Sequence, residues 1–301
     1  MAPLLEARAI TKRFGGLTAL NEVNFQLDEG HIASIIGPNG AGKTTFFNVF
    51  TGIYVPEAGT VSFRGQALLG RRPDEITALG ICRTFQNIRL FGNMTAIENV
   101  LVGMHARVGL AFWEVLARSS RWRIREQALW DKGAELLGVV GLRDKANELA
   151  RNLPYGDQRR LELGRALGSA PALLLLDEPT AGMTQGEARS LMELLRRLTG
   201  ERGLTILLIE HNMRVVMEVS DWVTVLDYGE KIAEGRPADV QKNPAWSRRI
   251  SAGSAGHPPR GVRAAEADIM LEVRDLHVYY GEIHALKGVS FSVAEGRSSR
   301  C

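Results

Sequence analysis

One stretch near the start of the chain constrains the fold more than any other. Residues 37–45 read Gly-Pro-Asn-Gly-Ala-Gly-Lys-Thr-Thr and follow the apolar run 32–36. This pattern is the G-x-x-x-x-G-K-[ST] phosphate loop, whose glycines let successive backbone N–H groups converge on one anion. A strand before the loop and a helix after it direct the positive end of the helix at the phosphates. The pattern predicts an α/β fold that binds nucleotide phosphates through Gly37, Pro38, Asn39, Gly40, Ala41, Gly42, Lys43, Thr44 and Thr45.

Two pairs of polar residues point to the chemistry of such a site. In the loop, Lys43 supplies a point charge for the β- and γ-phosphates, and Thr44 supplies a hydroxyl for Mg²⁺. Asp177 and Glu178 directly follow the apolar run 173–176, which is typical of a strand buried on both faces. Because α/β sheets hold ligands at the carboxyl ends of their strands, we expect Asp177 to face Mg²⁺ and Glu178 to face the attacking water.

Three further side chains are candidates for the same site. Gln86 closes the strand-like run 81–87, where its amide could reach the metal and the attacking water, with an ordinary surface position as the alternative. His211 follows another apolar run, where it is placed to contact a phosphate, although a lone histidine is usually structural. Phe14 precedes a Gly-Gly pair and could cover an adenine ring, although a lone aromatic more often belongs to hydrophobic packing.

Composition limits the class of protein. The chain has 301 residues, 45% of them hydrophobic, and a formal net charge of +3 with acids and bases interspersed, which is weak evidence for a nucleic-acid partner. The N-terminus lacks a signal-peptide pattern, and no apolar run is long enough to span a bilayer. These features predict a cytosolic protein or one peripheral to a membrane. Cys82 and Cys301 lack metal-type spacing and predict two free thiols.

The remaining pattern predicts layers around a sheet. Residues 6–30 alternate in the manner of paired strands, with Ala7 and Ala9 expected on the same side of a β-hairpin. Buried strands alternate with helices farther along the chain, which favours right-handed βαβ units around a mainly parallel sheet. The expected buried strands are residues 173–176, 204–209 and 223–226.

Residues 98–147 have helical spacing and carry tryptophans and a basic cluster. Aromatic and arginine side chains together can bind single-stranded nucleic acid. A helical face that docks on another protein, with arginine stems lying over apolar surface, is the favoured interpretation. The side chains in question are Trp113, Arg118, Arg121, Trp122, Arg123, Arg125 and Trp130.

A second anion site is predicted at residues 153–157, which read Leu-Pro-Tyr-Gly-Asp. A helix-forming run follows at residues 161–167. A glycine-containing turn that opens a helix can hold an anion by the same dipole argument as the first loop.

Taken in order, these stretches resemble the nucleotide-binding subunit of an ABC transporter over residues 4–250. The resemblance implies a P-loop NTPase fold of ABC type, with a mainly parallel sheet core, an antiparallel β layer and an inserted helical subdomain at about residues 97–165. It implies one ATPase domain over residues 1–250. The motifs that carry it are Walker A at 37–45, the Q-loop at Gln86, the signature at 153–157, Walker B at 173–178, the D-loop at 181–184 and the switch histidine His211.

The resemblance also implies roles for single residues, with ATP and Mg²⁺ as cofactors and Phe14 against the adenine. Subunits of this family form head-to-tail dimers, so Tyr155, Gly156 and Asp157 are implied to bind the nucleotide held by the partner subunit. The implied catalytic residues are Glu178, His211 and Gln86. The implied metal ligands are Thr44, Gln86 and Asp177.

The signature departs from the common Leu-Ser-Gly-Gly-Gln, because Pro154, Tyr155 and Asp157 replace Ser, Gly and Gln. This version is similar to that of branched-chain amino-acid uptake ATPases of the LivG type. The similarity implies ATP-driven uptake of branched-chain or related amino acids through membrane permease subunits, from the cytoplasmic face of the plasma membrane as a peripheral protein. A periplasmic binding protein is implied as an indirect partner, nucleic acid is not, and the second ATPase subunit is a LivF-like partner or a second copy.

The tail repeats the beginning of the chain. Residues 272–296 align without a gap onto residues 6–30, and Tyr280 stands in the place of Phe14. The tail resembles the start of a LivF-like ATPase, preceded by a linker at residues 251–268 that is rich in Gly, Ala, Ser and Pro. We expect residues 269–301 to be the truncated start of a second domain, produced by joined reading frames and loosely ordered by themselves; a regulatory tail is the alternative.

Other functions stay open at this point. An ATPase of a lipopolysaccharide exporter has a similar size, but its signature is nearer the common form than Tyr155 allows. A soluble ABC ATPase acting on the ribosome or on nucleic acid would typically carry two complete ATPase domains or a long coiled-coil insert. A third alternative is a non-functional product whose tail blocks closure of the dimer.

Overall fold

The computed structural model describes residues 3–108, 120–243, 269–280 and 283–294. The first two ranges belong to one compact unit and the last two to another. The strands of the first unit are β1 Leu5–Phe14, β2 Leu17–Leu27, β3 Ile32–Ile36, β4 Ala58–Phe63, β5 Gln66–Ala67, β6 Ile81–Arg83, β7 Leu173–Asp177, β8 Thr205–Ile209, β9 Trp222–Asp227 and β10 Glu230–Gly235. Its helices are α1 Lys43–Phe50, α2 Pro73–Leu79, α3 Ala96–Val108, α4 Ser120–Val139, α5 Tyr155–Gly168, α6 Gln185–Arg202, α7 Met213–Val219 and α8 Pro237–Lys242.

A six-stranded sheet forms the centre of the first unit. Its strand order is β10-β9-β3-β8-β7-β6, and the pairs from β9 to β6 are all parallel, whereas β10 is antiparallel to β9. The prediction of a mainly parallel sheet is therefore confirmed. The carboxyl ends of β3, β7 and β8 meet at one edge, which brings the phosphate loop, Glu178 and His211 to the same side of the sheet.

The central strands are continuous apolar runs because both of their faces are covered. In β7, Leu174 and Leu176 belong to the core beneath the helices, while Leu173 and Leu175 belong to the core on the opposite face. All four side chains are at most 2% exposed. The period-two alternation thus divides one apolar run between two cores, as expected for a parallel strand.

An antiparallel sheet of order β2-β1-β4-β5 covers the face that carries α1. The predicted hairpin of β1 and β2 is present, but the expectation that Ala7 and Ala9 share a side was wrong. Ala7 is 1% exposed, whereas Ala9 is exposed and has a left-handed φ of 49°. The pairing shifts register between Ala7 and Ile10, so a bulge turns the chain and Ile10 enters the core in place of Ala9.

Helices α3, α4 and α5 pack together on the other face of the central sheet. Two glycines bring α3 and α5 into backbone contact, because a Cβ added to Gly103 would lie 2.0 Å from the carbonyl oxygen of Arg165. At Gly168 an added Cβ would lie 3.0 Å from the carbonyl oxygen of Val100. Residues 109–119 of the predicted helical region, which include Trp113, lie outside the described residues, as does the whole of the expected linker at residues 251–268.

The second unit contains a β-hairpin of β11 Ile269–Tyr280 and β12 Ile283–Ala294. The two strands pair antiparallel, with Leu271 opposite Val293 at one end and Tyr280 opposite Ile283 at the turn. Among the described residues these strands form a sheet of their own.

Candidate functional site

The phosphate loop connects β3 to α1 and requires glycine at two positions. Gly37 has a φ of 152°, and an added Cβ would lie 2.1 Å from the carbonyl oxygen of Leu226. Gly42, with a left-handed φ of 97°, is the N-cap of α1, and an added Cβ would lie 2.5 Å from the carbonyl oxygen of Ala19. Neither approach leaves space for a side chain, so both glycines are fixed by the neighbouring backbone.

Lys43 begins α1 and points back into the loop. Its ammonium donates hydrogen bonds to the carbonyl oxygens of Gly37 at 2.8 Å and Pro38 at 2.9 Å, and the residue is 7% exposed. Burial lowers the pKa of the Lys43 ammonium from its usual value, while the negative charges of Glu178 and Asp177 oppose that shift. An anion bound in the loop would therefore gain a partly desolvated cation as its partner.

A cavity of about 620 Å³ lies over this loop and brings together most of the predicted site. Predicted residues that line it are Phe14, Asn39, Gly40, Ala41, Gly42, Lys43, Thr44, Thr45, Gln86 and Glu178. Predicted residues that do not line it are Gly37, Pro38, Tyr155, Gly156, Asp157, Asp177 and His211. Its remaining lining comes from Leu17, Thr18, Ala19 and Tyr228, which the sequence did not suggest.

Glu178 joins two of the other candidates at the edge of this cavity. The amide Nε2 of Gln86 donates to Oε2 of Glu178 at 2.9 Å, and Nδ1 of His211 lies 3.8 Å from Oε1. Strand β6 ends at Arg83, so Gln86 reaches Glu178 from a loop rather than from the predicted strand end. Glu178 itself has a left-handed φ of 48°, a conformation that is costly for a non-glycine residue and is concentrated at functional sites.

Asp177 lies beneath the cavity in a buried ion pair that the sequence did not suggest. Nη2 of Arg83 donates to Oδ2 of Asp177 at 2.8 Å, and the two side chains are 7% and 6% exposed. Nη1 of Arg83 donates to Oδ1 of Asn48 in α1 at 2.6 Å. Arg83 therefore ties the strand that ends in Asp177 to the helix that begins in the phosphate loop. An arginine inside the apolar start of β6 was the signal that could have revealed it.

The predicted magnesium ligands offer a hydroxyl, an amide and a carboxylate, which are oxygen donors of the kind that Mg²⁺ prefers. Within the part of the chain that the structure describes, no group of three or more His, Cys, Asp or Glu side chains could hold a metal alone. Mg²⁺ is usually bound through one or two carboxylates together with substrate phosphates. The donor set of Thr44, Gln86 and Asp177 thus fits an ion held jointly by protein and nucleotide.

The signature residues form the first turn of α5, not a separate turn before it as predicted. Pro154 is the N-cap, and Tyr155, Gly156 and Asp157 are helical. Oδ2 of Asp157 accepts a 2.6 Å hydrogen bond from Lys145. Tyr155, which is 43% exposed, donates its hydroxyl to the carbonyl oxygen of Ala181 at 2.9 Å.

Phe14 lies at the rim of the cavity and is 41% exposed, so it is not a core residue. Its ring forms a T-shaped pair with that of Tyr54 at a centroid distance of 5.1 Å, and Nζ of Lys12 lies 5.2 Å from the ring centroid. This leaves ring surface accessible beside the loop, as stacking on a base requires.

Residues 20–181, which make up more than half of the chain, match the family model described as ABC transporter. Together with the fold and the loop geometry, this match shows that the chain belongs to the ABC transporter family, as an ATP-binding subunit that hydrolyses ATP. Across the described residues, no helix is both long enough and apolar enough to pass through a membrane.

Within that family, the chain is 44% identical over 242 residues to the high-affinity branched-chain amino acid transport ATP-binding protein LivG of Salmonella typhimurium, covering 80% of this chain and 95% of LivG. The crystal structure of the ADP conformation of MJ1267, an ATP-binding cassette of an ABC transporter, has a TM-score of 0.73 and 31% identity, covering 83% of this chain and 99% of that one. The dimeric structure of MJ0796, a bacterial ABC transporter cassette, has a TM-score of 0.66 and 27% identity over 77% of this chain and 98% of that one.

Proposed function

We propose that this chain powers the uptake of branched-chain or related amino acids, as the ATP-hydrolysing subunit of an importer. The observation that carries the proposal is the convergence of Lys43, Gln86 and Glu178 on one cavity in a chain 44% identical to LivG over nearly all of LivG's length. The lipopolysaccharide-exporter and ribosome alternatives have no comparable observation in their favour.

In the proposed mode of binding, ATP lies across the cavity with its adenine against Phe14 and its phosphates in the loop. The backbone N–H groups of the loop and the start of α1 receive the phosphates. Lys43 exchanges its bonds to the carbonyl oxygens of Gly37 and Pro38 for bonds to the β- and γ-phosphates. A buried ammonium gains more from an anionic partner than an exposed one does, which favours this exchange.

Thr44, Gln86 and Asp177 would hold Mg²⁺, which supplies charge neutralisation for the transferred phosphoryl group. Arg83 fixes the Asp177 carboxylate through Oδ2. Glu178 is the proposed base, because its carboxylate lines the cavity and can accept a proton from a water beside the γ-phosphate. His211, whose Nδ1 lies 3.8 Å from Oε1 of Glu178, is the residue that we propose to orient the same water or the phosphate.

The proposed assembly is a dimer, which the dimeric structure of the cassette MJ0796 supports, and we propose a head-to-tail arrangement of its subunits. The first turn of α5 would then face the nucleotide of the partner, through Tyr155, Gly156 and Asp157. The partner is a LivF-like subunit or a second copy of this chain. We further propose that residues 1–250 are the ATPase domain, with a helical subdomain at about 97–165, that residues 251–268 are a linker, and that residues 269–301 correspond to the start of a second such domain.

The proposed place of the protein is the cytoplasmic face of the plasma membrane, bound to permease subunits. Helices α3 and α4 and the segment after Gln86 are the proposed docking region. A periplasmic binding protein would deliver the amino acid to the permease, and nucleic acid is not a proposed partner.

The test is complementation of bacteria that lack their own LivG. We expect the wild-type chain to restore ATP-dependent uptake of radiolabelled leucine, and Glu178→Gln to bind ATP without restoring uptake. The variant replaces a carboxylate with an isosteric amide, so its expression and melting temperature serve as controls for folding. Uptake restored equally by Glu178→Gln would refute the assigned base, and no uptake with the wild type at normal expression would contradict the assigned transport function.

A further inference from the structure

A buried arginine connects the signature helix to the loop that carries Gln86. Arg159 lies in α5 and is 5% exposed. Its Nη1 donates to the carbonyl oxygen of Phe85 at 3.0 Å, and its Nη2 donates to the carbonyl oxygen of Gln86. One guanidinium thus holds two successive carbonyl groups of the loop that carries Gln86. The side chain of Gln86 in turn donates a hydrogen bond to Glu178.

The same guanidinium also holds Tyr155. Nη2 of Arg159 donates to the Tyr155 hydroxyl at 3.0 Å, and that hydroxyl donates in turn to the carbonyl oxygen of Ala181. The Tyr155 ring lies over Gly182 so closely that an added Cβ there would be 3.2 Å from a ring carbon. The Tyr155 side chain therefore contacts the loop that follows Glu178.

A counter-charge makes this arrangement stable in the interior. Oε2 of Glu162 lies 3.3 Å from Nη1 of Arg159, and the two side chains are 2% and 4% exposed. Oε1 of Glu162 accepts a hydrogen bond from the backbone N–H of Arg89 at 3.4 Å. The buried pair therefore holds the loop at both ends. Arg159 binds the carbonyl oxygens of Phe85 and Gln86, and Glu162 binds the backbone N–H group of Arg89.

We infer that Tyr155 and Arg159 are positioning residues, which set the geometry of Gln86 and Glu178 for ATP hydrolysis. The route is short: Arg159 fixes the backbone of Gln86, the Gln86 amide fixes one oxygen of Glu178, and Tyr155 fixes the loop after Glu178. The effect on ATP hydrolysis rests on the proposed function. The contacts of Tyr155 and Arg159 with the two loops do not depend on it.

This inference gives a reason for the departure of the signature from Leu-Ser-Gly-Gly-Gln. A glycine at position 155 has no side chain to reach Ala181 or Arg159. In this chain the hydroxyl of Tyr155 serves contacts within its own subunit. A ligand or partner that displaces the first turn of α5 would thus act on both loops beside Glu178.

The test compares Tyr155→Phe with the wild-type chain by amide hydrogen exchange. The variant keeps the ring and removes two hydrogen bonds of the hydroxyl, one to Ala181 and one from Arg159. We therefore expect exchange in residues 180–184 and 85–89 to become roughly fivefold faster, as the loss of one hydrogen bond on the side of each loop implies. Lys145→Met is the matched control, because it removes a side-chain bond to the same helical turn and leaves both loop contacts in place. Exchange in these segments is expected to be unchanged in the control.

Steady-state kinetics on the same proteins separate positioning from stability. Tyr155→Phe keeps the ring and the backbone that would face the partner's nucleotide. We therefore expect it to lower kcat by about tenfold and to leave KM for ATP within about twofold, because misplaced catalytic groups affect turnover more than binding. Arg159→Lys keeps a charge opposite Glu162 but offers a single ammonium to two carbonyl groups. We expect faster exchange at residues 85–89 with little change at 180–184.

Unchanged exchange in both segments of Tyr155→Phe would overturn the connection. Faster exchange with an unchanged kcat would overturn the positioning role. A wild-type chain without ATPase activity would count against the proposed function alone, since the exchange measurements would still report whether Tyr155 and Arg159 hold the two loops.

Discussion

The first hairpin of the chain and the hairpin of the second unit have the same backbone plan. Each of the seven residue pairs that define the register of β1 with β2 recurs in β11 with β12, from Leu5 with Leu27 and Leu271 with Val293 to the turn. The left-handed residue of the bulge recurs too, as Ala9 with φ 49° and Asp275 with φ 51°. Because Ala and Asp differ chemically, the bulge depends on the pattern of the strands and not on that side chain.

Among the described residues, the two hairpins differ in the strands with which they pair. Strand β1 also pairs with β4, and the buried residues of β1 and β2 contribute to the core around α1. In the described part of the second unit, β11 and β12 pair with each other. The comparison teaches that a short segment of sequence encodes strand pairing and register, whereas a paired hairpin needs a covered apolar face for stability.

The strongest way to test this difference is to remove each hairpin. Deletion of residues 1–30 is expected to prevent folding of the first unit, because it removes buried residues such as Leu5, Val23 and Phe25. Deletion of residues 254–301 is expected to leave the melting temperature of the first unit within about 2 °C, since the core residues that the structure describes, from Leu4 to Val240, all belong to that unit. Calorimetry of both truncations checks this.

The second deletion also addresses whether the tail blocks closure of a dimer. Size-exclusion chromatography of the Glu178→Gln form with ATP should give the same dimer fraction with and without residues 254–301. A dimer that forms in the truncated chain alone would support an inhibitory tail.

A single substitution at equivalent positions gives the next largest difference. Phe25 is 1% exposed, and its ring centroid lies 5.9 Å from that of Phe46 and 6.0 Å from that of Phe50. Phe25→Ala should lower the free energy of unfolding by about 3–5 kcal/mol. Phe291→Ala, at the matching position, should leave the main unfolding transition unchanged in urea titrations. Equal losses would show that both hairpins contribute to one core.

The aromatic residues at the two hairpin turns should differ in ligand binding. Phe14→Ala is expected to weaken ATP binding about tenfold, because stacking of a base on an aromatic side chain contributes about 1–3 kcal/mol. Tyr280→Ala should not alter the affinity. Titration with a fluorescent ATP analogue measures both affinities. A guanine nucleotide serves as the control and should bind with similar affinity, because an aromatic ring stacks on any base. Unchanged affinity in Phe14→Ala would exclude the adenine contact.

The smallest expected effect concerns the bulge. Ala9 has a left-handed φ, which an L-residue adopts at a cost, so Ala9→Gly should raise the free energy of unfolding by up to about 1 kcal/mol. Asp275→Gly relaxes the matching residue and should not move the main transition. Destabilisation by Ala9→Gly in chemical denaturation would mean that the flexibility of glycine in the unfolded chain outweighs the strain.

The sequence was sufficient to predict the mainly parallel sheet and the elements that carry the site, because short apolar runs such as the four leucines that precede Asp177 alternate with helical segments, as in βαβ units. It was not sufficient to predict the side on which Ala9 lies. The alternation of residues along the sequence does not reveal a β-bulge, which changes the side of the sheet on which the following side chains lie. The start of α5 was placed too late, since Pro154 followed by Gly156 resembles a turn although Pro is also common near helix starts.

Long-range ion pairs were missed for a different reason. Arg83 and Asp177 are far apart in sequence, and their contact depends on the order of β6 and β7 in the sheet. Arg159 stands in a run of charged residues on a helix, which is usually a solvated face. Its burial follows from the position of the Gln86 loop above α5, which local spacing does not contain.

The backbone contact of α3 with α5 at Gly103 and Gly168 has a mechanical consequence. Side chains between two helices can change rotamer and absorb a displacement, whereas two backbones in contact leave nothing compliant between them. A displacement of α3 would therefore be transmitted to α5 with little loss of amplitude. In an importer this pair of helices would transmit a displacement along α5 to Tyr155, which lies at the opposite end of α5 from the two contacts.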